Sequence, residues 1–118
     1  MAKGLHYTKP YVTEFGRTIR LYLDDHVDSR SFISANLIGS IDPTLIEEGY
    51  DNEYVVLNLL FKTMDGDIEE LDVCFDVVET GGNDFILGFD VLQNFEFDRE
   101  GILLEGGEVK IYTRGKLT

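Results

Sequence analysis

The sequence lacks the residues that build covalent or metal-based cross-links. Among its 118 residues there is one cysteine, Cys74, so an internal disulfide and a zinc cluster built on cysteines are both excluded. This shortage weakly favours a reducing compartment. No apolar run approaches the ~20 residues of a membrane span, and the opening residues MAKGLHYTKP lack the apolar core of a secretory signal. We therefore expect an intracellular protein, cytoplasmic or nuclear, or a piece cut from a longer polyprotein, and no association with a membrane.

Basic residues are scarce as well, with 10 Lys and Arg against 23 Asp and Glu and a net charge of −13. The imbalance is uneven along the chain. Residues 1–20 carry four basic and one acidic residue, residues 21–100 carry three and twenty, and residues 101–118 carry three and two. The acidic middle repels phosphates, which argues against direct nucleic-acid binding. It suits a basic protein or peptide partner, although a merely solvated surface is the simpler interpretation.

The sequence also has no long helical pattern, no low-complexity tract and no repeat. Instead, apolar residues alternate with polar ones through residues 54–63 and 68–79, on either side of a hairpin signal at Asp65-Gly66. A second hairpin is predicted for residues 11–24, with a two-residue turn at Gly16-Arg17. One short helix is predicted at residues 90–95, capped by Asp90. The length and pattern predict a single all-β domain, a small closed or half-closed barrel.

The alternation also predicts which side chains form the core. Cys74 lies on the opposite face of its strand from the buried residues, and we expect it to be a small surface residue without a redox role. The residues predicted to share one core are Leu21, Leu23, Leu57, Leu59, Phe61, Val73, Phe75, Val77, Ile86 and Leu87.

Two stretches carry the functional interpretation. The first, LYLDDHVDSRSFIS, is a strand that runs into a group of acids, with Phe32 seven places after Asp25. The second, DFILGFDVL, places the apolar-apolar-glycine segment ending at Gly88 before the predicted helix. Together with the closing segment FEFDREGILLEGGEVKIY, they resemble the retropepsins, the single-domain aspartic proteases of retroviruses and retrotransposons. The string SFIS is typical of the retrotransposon branch.

The resemblance implies a retropepsin-like acid-protease β-barrel over residues 10–112, with an N-terminal extension (1–9), a C-terminal tail (113–118) and one short C-terminal helix. In that family two protomers each supply one aspartate, here Asp25, and the pair shares a proton and activates a water. The family forms its dimer interface from the chain ends and the active loop. We accordingly expect a homodimer or a heteromer with another protein.

The active-site motif of this chain is degenerate. His26 and Val27 stand where the family has a hydroxyl residue and a glycine, and a β-branched side chain suits a tight loop poorly. Asp24 replaces an apolar residue before the catalytic position, and Asp28 adds another carboxylate. The motif predicts a pseudoenzyme that acts as a protein–protein interaction or dimerisation module.

Two alternatives remain: an active homodimeric aspartic endopeptidase using Asp25 from each protomer, and an unrelated acidic β-domain that binds a basic peptide. The segment expected to form a flap, residues 39–53, lacks a glycine-rich tip. The residues expected to contribute to binding are Asp24, Asp28, Gly49, Ile86 and Gly88.

Other chemistry in the acidic stretch has little support. Asp24, Asp25, His26 and Asp28 offer ligand types that suit several metals, but neighbours on one loop seldom converge on an ion. His26 as a base would need a serine nucleophile and an oxyanion hole that nothing in the sequence supplies. We expect no metal and no cofactor.

Overall fold

The computed structural model describes residues 6–24, 26–62, 68–93, 95–97 and 111–113. Within these ranges the strands are β1 (His6–Thr8), β2 (Tyr11–Val12), β3 (Arg17–Thr18), β4 (Leu21–Leu23), β5 (Phe32–Ser34), β6 (Glu47–Glu48), β7 (Glu53–Lys62), β8 (Ile68–Val78), β9 (Phe85–Leu87), β10 (Phe95–Phe97) and β11 (Ile111–Thr113). The helices are α1 (Ala35–Ile41), a 3-10 turn (Pro43–Leu45) and α2 (Phe89–Leu92).

A single curled sheet contains most of these strands, in the order β1-β4-β9-β5-β8-β7-β2-β3, and β6 pairs with β7. The curl comes from a bend in the first hairpin. In one half of this hairpin β1 pairs with β4, and β4 joins β9. In the other half β2 pairs with β3, and β2 joins β7. Pro10 lies at the bend and its carbonyl accepts from the Ile19 amide. The predicted all-β class and barrel-like sheet are confirmed.

The core lies inside the curl, where the odd-numbered residues of β7 and β8 point. Every predicted core residue is buried except Val77, which is partly buried against the core. The core also holds buried residues outside the predicted set: Val12, Ile33, Ile38, Val55, Phe85 and Leu92. These come mainly from the short strands β5 and β9 and from the two helices. Apolar side chains from both hairpins, from β5 and β9 and from both helices therefore form one cluster.

The turn of the first hairpin differs from its prediction. The chain turns through residues 13–16 rather than at Gly16-Arg17, because the amides of Phe15 and Gly16 both donate to the carbonyl of Val12. Gly16 adopts the left-handed conformation, with φ of 71°, that closes the turn. Arg17 consequently already belongs to β3.

The helices differ from their prediction as well. A helix that the sequence did not predict, α1, follows β5, and the Ser34 hydroxyl caps it by accepting from the Leu37 amide at 3.3 Å. Further along, Asp90 does not cap α2. That helix begins after Gly88, which makes no side-chain cap, and the Asp90 carboxylate accepts instead from Ser31.

Strand β1 lies within the segment predicted as an N-terminal extension and pairs with β4. At the other end, β11 pairs with β10. In the part of the chain that the structure describes, no helix has the length and apolar character needed to cross a bilayer.

Candidate functional site

Residues 24–31, here called the acid loop, connect β4 to β5, and β9 is inserted between these two strands. Strand β9 runs parallel to β4, with Leu23 beside Leu87, and antiparallel to β5, with Phe32 beside Ile86. The amide of Asp24 continues this ladder by donating to the Leu87 carbonyl at 2.9 Å. The loop therefore leaves one side of a buried strand and returns on its other side.

Gly88 follows β9 and lies directly against the backbone of the acid loop. A Cβ at this position would come within 2.7 Å of the Cα and carbonyl oxygen of Arg30. No backbone adjustment of a few tenths of an ångström could accommodate it. The predicted glycine is thus required by a close approach of two backbones, rather than by its own dihedral angles.

Ser31 links the end of the acid loop to α2. Its hydroxyl accepts from the Gly88 amide at 2.9 Å and donates to the Asp90 carboxylate at 2.8 Å. The Ser31 amide donates to the same carboxylate at 3.2 Å. Ser31 is only 1% exposed, so both hydrogen bonds of its hydroxyl are protected from water and hold the loop against the helix.

Ser29 forms a second link of the same kind. Its hydroxyl donates to the Asp24 carbonyl at 2.8 Å and accepts from the Phe89 amide at 2.8 Å. Both hydroxyls therefore bind backbone or carboxylate groups of the framework. From the sequence, a serine was considered only as a nucleophile for His26. The structural role of Ser29 and Ser31 was not predicted.

Residues 26–28, the tip of the loop, are exposed. The side chain of His26 is 89% exposed, and its Nδ1 lies 2.9 Å from Oδ1 of the half-buried Asp24. Val27 is 72% exposed, and Asp28 has a left-handed φ of 75°, which aspartate tolerates better than most residues. Asp25, the predicted catalytic residue, lies outside the described residues.

The remaining predicted site residues lie on either side of the loop. Ile86 is 9% exposed and belongs to the framework. Gly49 is in the turn between β6 and β7, where its amide donates to the Asn52 carbonyl. Asn52 in turn donates to the Asp76 carboxylate at 3.2 Å, and Asp76 accepts from Arg30 at 3.3 Å. The turn is therefore connected to the acid loop through Asp76.

The described hydrogen bonds of these residues hold the acid loop in place. In the described ranges, no three His, Cys, Asp or Glu side chains converge as metal ligands would. His26 faces a carboxylate, while the serine hydroxyls bind elsewhere. The loop presents outward the imidazole of His26, the apolar side chain of Val27 and the carboxylate of Asp28.

No protein-family model matches the chain, and no curated protein matches it.

Proposed function

We propose that the chain is a catalytically degenerate retropepsin-like domain that acts as a protein–protein interaction or dimerisation module. The observation that carries the proposal is the insertion of β9 between the two strands that flank the acid loop. The motif residues Leu87 and Gly88 contact the loop backbone there. This supports a retropepsin-like framework over an unrelated acidic β-domain, because two motifs about sixty residues apart meet as the resemblance requires.

The tip supports loss of catalysis. A shared-proton pair of aspartates requires two loops to approach closely, and a glycine with no side chain permits that approach. Here Val27 stands at the glycine position, and its side chain and that of His26 project into solvent. Two copies meeting at their loops would bring four additional side chains together. A displacement of the carboxylates by even ~1 Å can lower the rate about a hundredfold.

The partner of such a module is a protein, either a second copy or another chain. The exposed apolar side chains near the loop support a contact surface there: Val27 is 72% exposed, and Tyr50, in the turn connected to the loop, is fully exposed. Apolar side chains that are held outward by a fixed framework gain free energy when a partner covers them.

The test compares peptide cleavage at pH 4–6 by three forms of the chain: the natural sequence, the double variant His26→Thr/Val27→Gly, and Asp25→Asn. We expect no cleavage by the natural chain over a broad peptide library. Cleavage gained by the double variant would strengthen the family assignment. If the natural chain cleaves and Asp25→Asn abolishes that activity, the homodimeric endopeptidase replaces the binding module.

A further inference from the structure

The face of the β7–β8 hairpin that points away from the core has an unusual composition. The side chains that project there are paired across the two strands, and we call them, with Tyr11 on β2, the outer face. The pairs are Tyr54 with Asp76, Val56 with Cys74, Asn58 with Asp72, Leu60 with Glu70, and Lys62 with Ile68. Tyr11 is beside Leu60.

Strand β7 contributes an apolar column to this face. Val56 is 48% exposed, Tyr11 is 40% exposed, and Tyr54 and Leu60 are half-buried. An antiparallel strand with one face in the core normally presents polar residues on the other. Strand β7 instead is apolar on both faces along much of its length, which is the pattern of a strand whose second face is also covered.

Strand β8 contributes an acidic column beside the apolar one. Glu70 and Asp72 project on the same side, about 7 Å apart along the strand. Both carboxylates accept from the single Asn58 amide nitrogen, at 2.9 and 2.8 Å. Glu14 approaches from the β2–β3 turn and accepts from the Asn58 backbone amide at 2.9 Å. Three carboxylates thus surround one neutral residue.

In the part of the chain that the structure describes, no ion pair joins Glu70 or Asp72 to Lys62, the cation on the same face. Ion pairs there join His26 with Asp24 and Arg30 with Asp76. An amide donor stabilises a carboxylate without neutralising its charge. Glu70 and Asp72 therefore lie beside exposed apolar side chains without a paired cation, and a cation bound between them would relieve their mutual repulsion.

We propose that the outer face binds a cationic amphipathic segment of a partner protein, with Lys or Arg side chains at Glu70 and Asp72 and apolar side chains along the Val56 column. This names the partner class for the proposed recognition function, on which it rests. The face lies outside the acid loop and adjoins it where Asp76 accepts from Arg30. A second copy is a poor occupant because each copy carries a net charge of −13. A nucleic acid is repelled for the same reason, and a polyamine would leave the apolar column uncovered.

Cys74 provides a reporter inside the outer face. It is the only cysteine of the chain, it is exposed, and it stands opposite Val56. Partial burial raises the pKa of the Cys74 thiol above its ordinary value, and the neighbouring Asp76 raises it further. Alkylation by iodoacetamide requires the thiolate, so it is best followed near pH 8.5. A segment bound on the face covers the sulfur and slows the reaction.

The probe is a fluorescent decapeptide of alternating lysine and valine, and its control has glutamate in place of lysine. Binding is measured by anisotropy with the natural chain, with Glu70→Gln/Asp72→Asn and with Val56→Ser. The matched control Asp51→Asn/Glu79→Gln makes the same charge change at exposed carboxylates outside the outer face. All substituted side chains are exposed, so folding is preserved.

We expect the lysine peptide to bind and to slow Cys74 alkylation at least about fivefold at saturation. Glu70→Gln/Asp72→Asn and Val56→Ser should each weaken binding about tenfold, which corresponds to ~1.4 kcal/mol. The Asp51→Asn/Glu79→Gln control should stay within about twofold.

Four results would overturn the inference. Absence of binding by the lysine peptide, or unchanged alkylation of Cys74 with the peptide bound, removes the outer face as the site. Equal competition by spermine together with no effect of Val56→Ser reduces the contact to nonspecific charge. Self-association that Val56→Ser abolishes assigns the face to a second copy. Each of these leaves the degenerate-protease proposal standing, whereas cleavage by the natural chain would overturn that proposal without affecting peptide binding at this face.

Discussion

The two ends of the acid loop and its tip differ in how firmly the fold holds them. At the β4 end, the Asp24 amide donates to the Leu87 carbonyl at 2.9 Å. At the β5 end, the hydroxyls of Ser29 and Ser31 accept from backbone amides at and after Gly88, at 2.8 and 2.9 Å. At the tip, His26 and Val27 extend into solvent, and the described contacts there join close neighbours, such as His26 and Asp24.

This difference separates what the fold requires from what a function would require. The ends are determined by contacts with β9 and α2, which sixty residues of intervening chain must bring into place. The described contacts of the tip join close neighbours, so the residues of the tip can change without loss of the fold. A loop built in this way can change at its tip while its framework is kept, as the proposed function requires. Substitutions at the framework and at the tip should therefore have very different effects on stability.

The largest effect is expected in the core beneath the loop. Phe75 is fully buried and packs against Phe85, with ring centroids 4.9 Å apart. Phe75→Ala should lower the free energy of unfolding by ~3–5 kcal/mol, through lost burial and the cavity left behind. Its matched control is Cys74→Ala, on the opposite face of the same strand, which should change stability by less than ~0.5 kcal/mol. Urea unfolding measures both, and equal effects would show that the two faces are not core and surface.

Gly88→Ala should have the next largest effect. The new Cβ would collide with the backbone of Arg30, and backbone cannot rotate aside as a flexible side chain can. We expect a loss of about 3 kcal/mol in urea unfolding, the upper part of the range for overpacking. Gly39→Ala is the control, because nothing lies within 4 Å of a Cβ at that helical position. It should stabilise the chain by ~0.5–1 kcal/mol. A tolerated Gly88→Ala would contradict the close approach of the two segments.

Ser31→Ala should have a smaller effect than either. It leaves the Gly88 amide without its acceptor in a buried place, and it removes one donor to Asp90. Such losses cost ~1–3 kcal/mol. Ser40→Ala is the control, because the Ser40 hydroxyl is exposed and binds only the Leu37 carbonyl within α1. Amide exchange at Gly88 should accelerate in Ser31→Ala and stay unchanged in Ser40→Ala, and equal acceleration in both would remove Ser31 from the framework.

The sequence predicted the long strands and the core because alternation over ten or eleven residues assigns each side chain to a face. It predicted the glycine of the second motif through the family resemblance. It missed α1, because the string FISANL alternates as a strand does. A helix forms there because Ser34 caps its first turn and Ile38 is buried.

The hydrogen bonds of Ser29 and Ser31 could not be predicted from the sequence, and neither could the role of Asp90 as their acceptor at Ser31. Local chemistry favours Asp90 as a helix cap, since it lies three residues before Gln93. The hydrogen bond that prevails joins Ser31 and Asp90 across 59 positions of the chain. It exists because β9 enters between β4 and β5 and carries α2 to the loop. Local patterns cannot reveal such a contact, because it depends on tertiary approach.

The smallest effect on stability is expected at the tip, with Val27→Ser. Val27 is 72% exposed, so its loss should change the free energy of unfolding by less than ~0.5 kcal/mol. If the tip lies in a contact between copies, the same substitution should weaken association, because the partner no longer covers an apolar side chain. Sedimentation at tens of micromolar measures this, with Val78→Ser as the control, since Val78 is 40% exposed at the end of β8, beyond the last pair of the outer face. Weaker association in Val27→Ser alone would place the tip in the interface. A chain that is monomeric throughout would contradict the homodimer. The proposed partner would then be a different protein, because the exposed Val27, which the fold does not need, would still offer it an apolar contact.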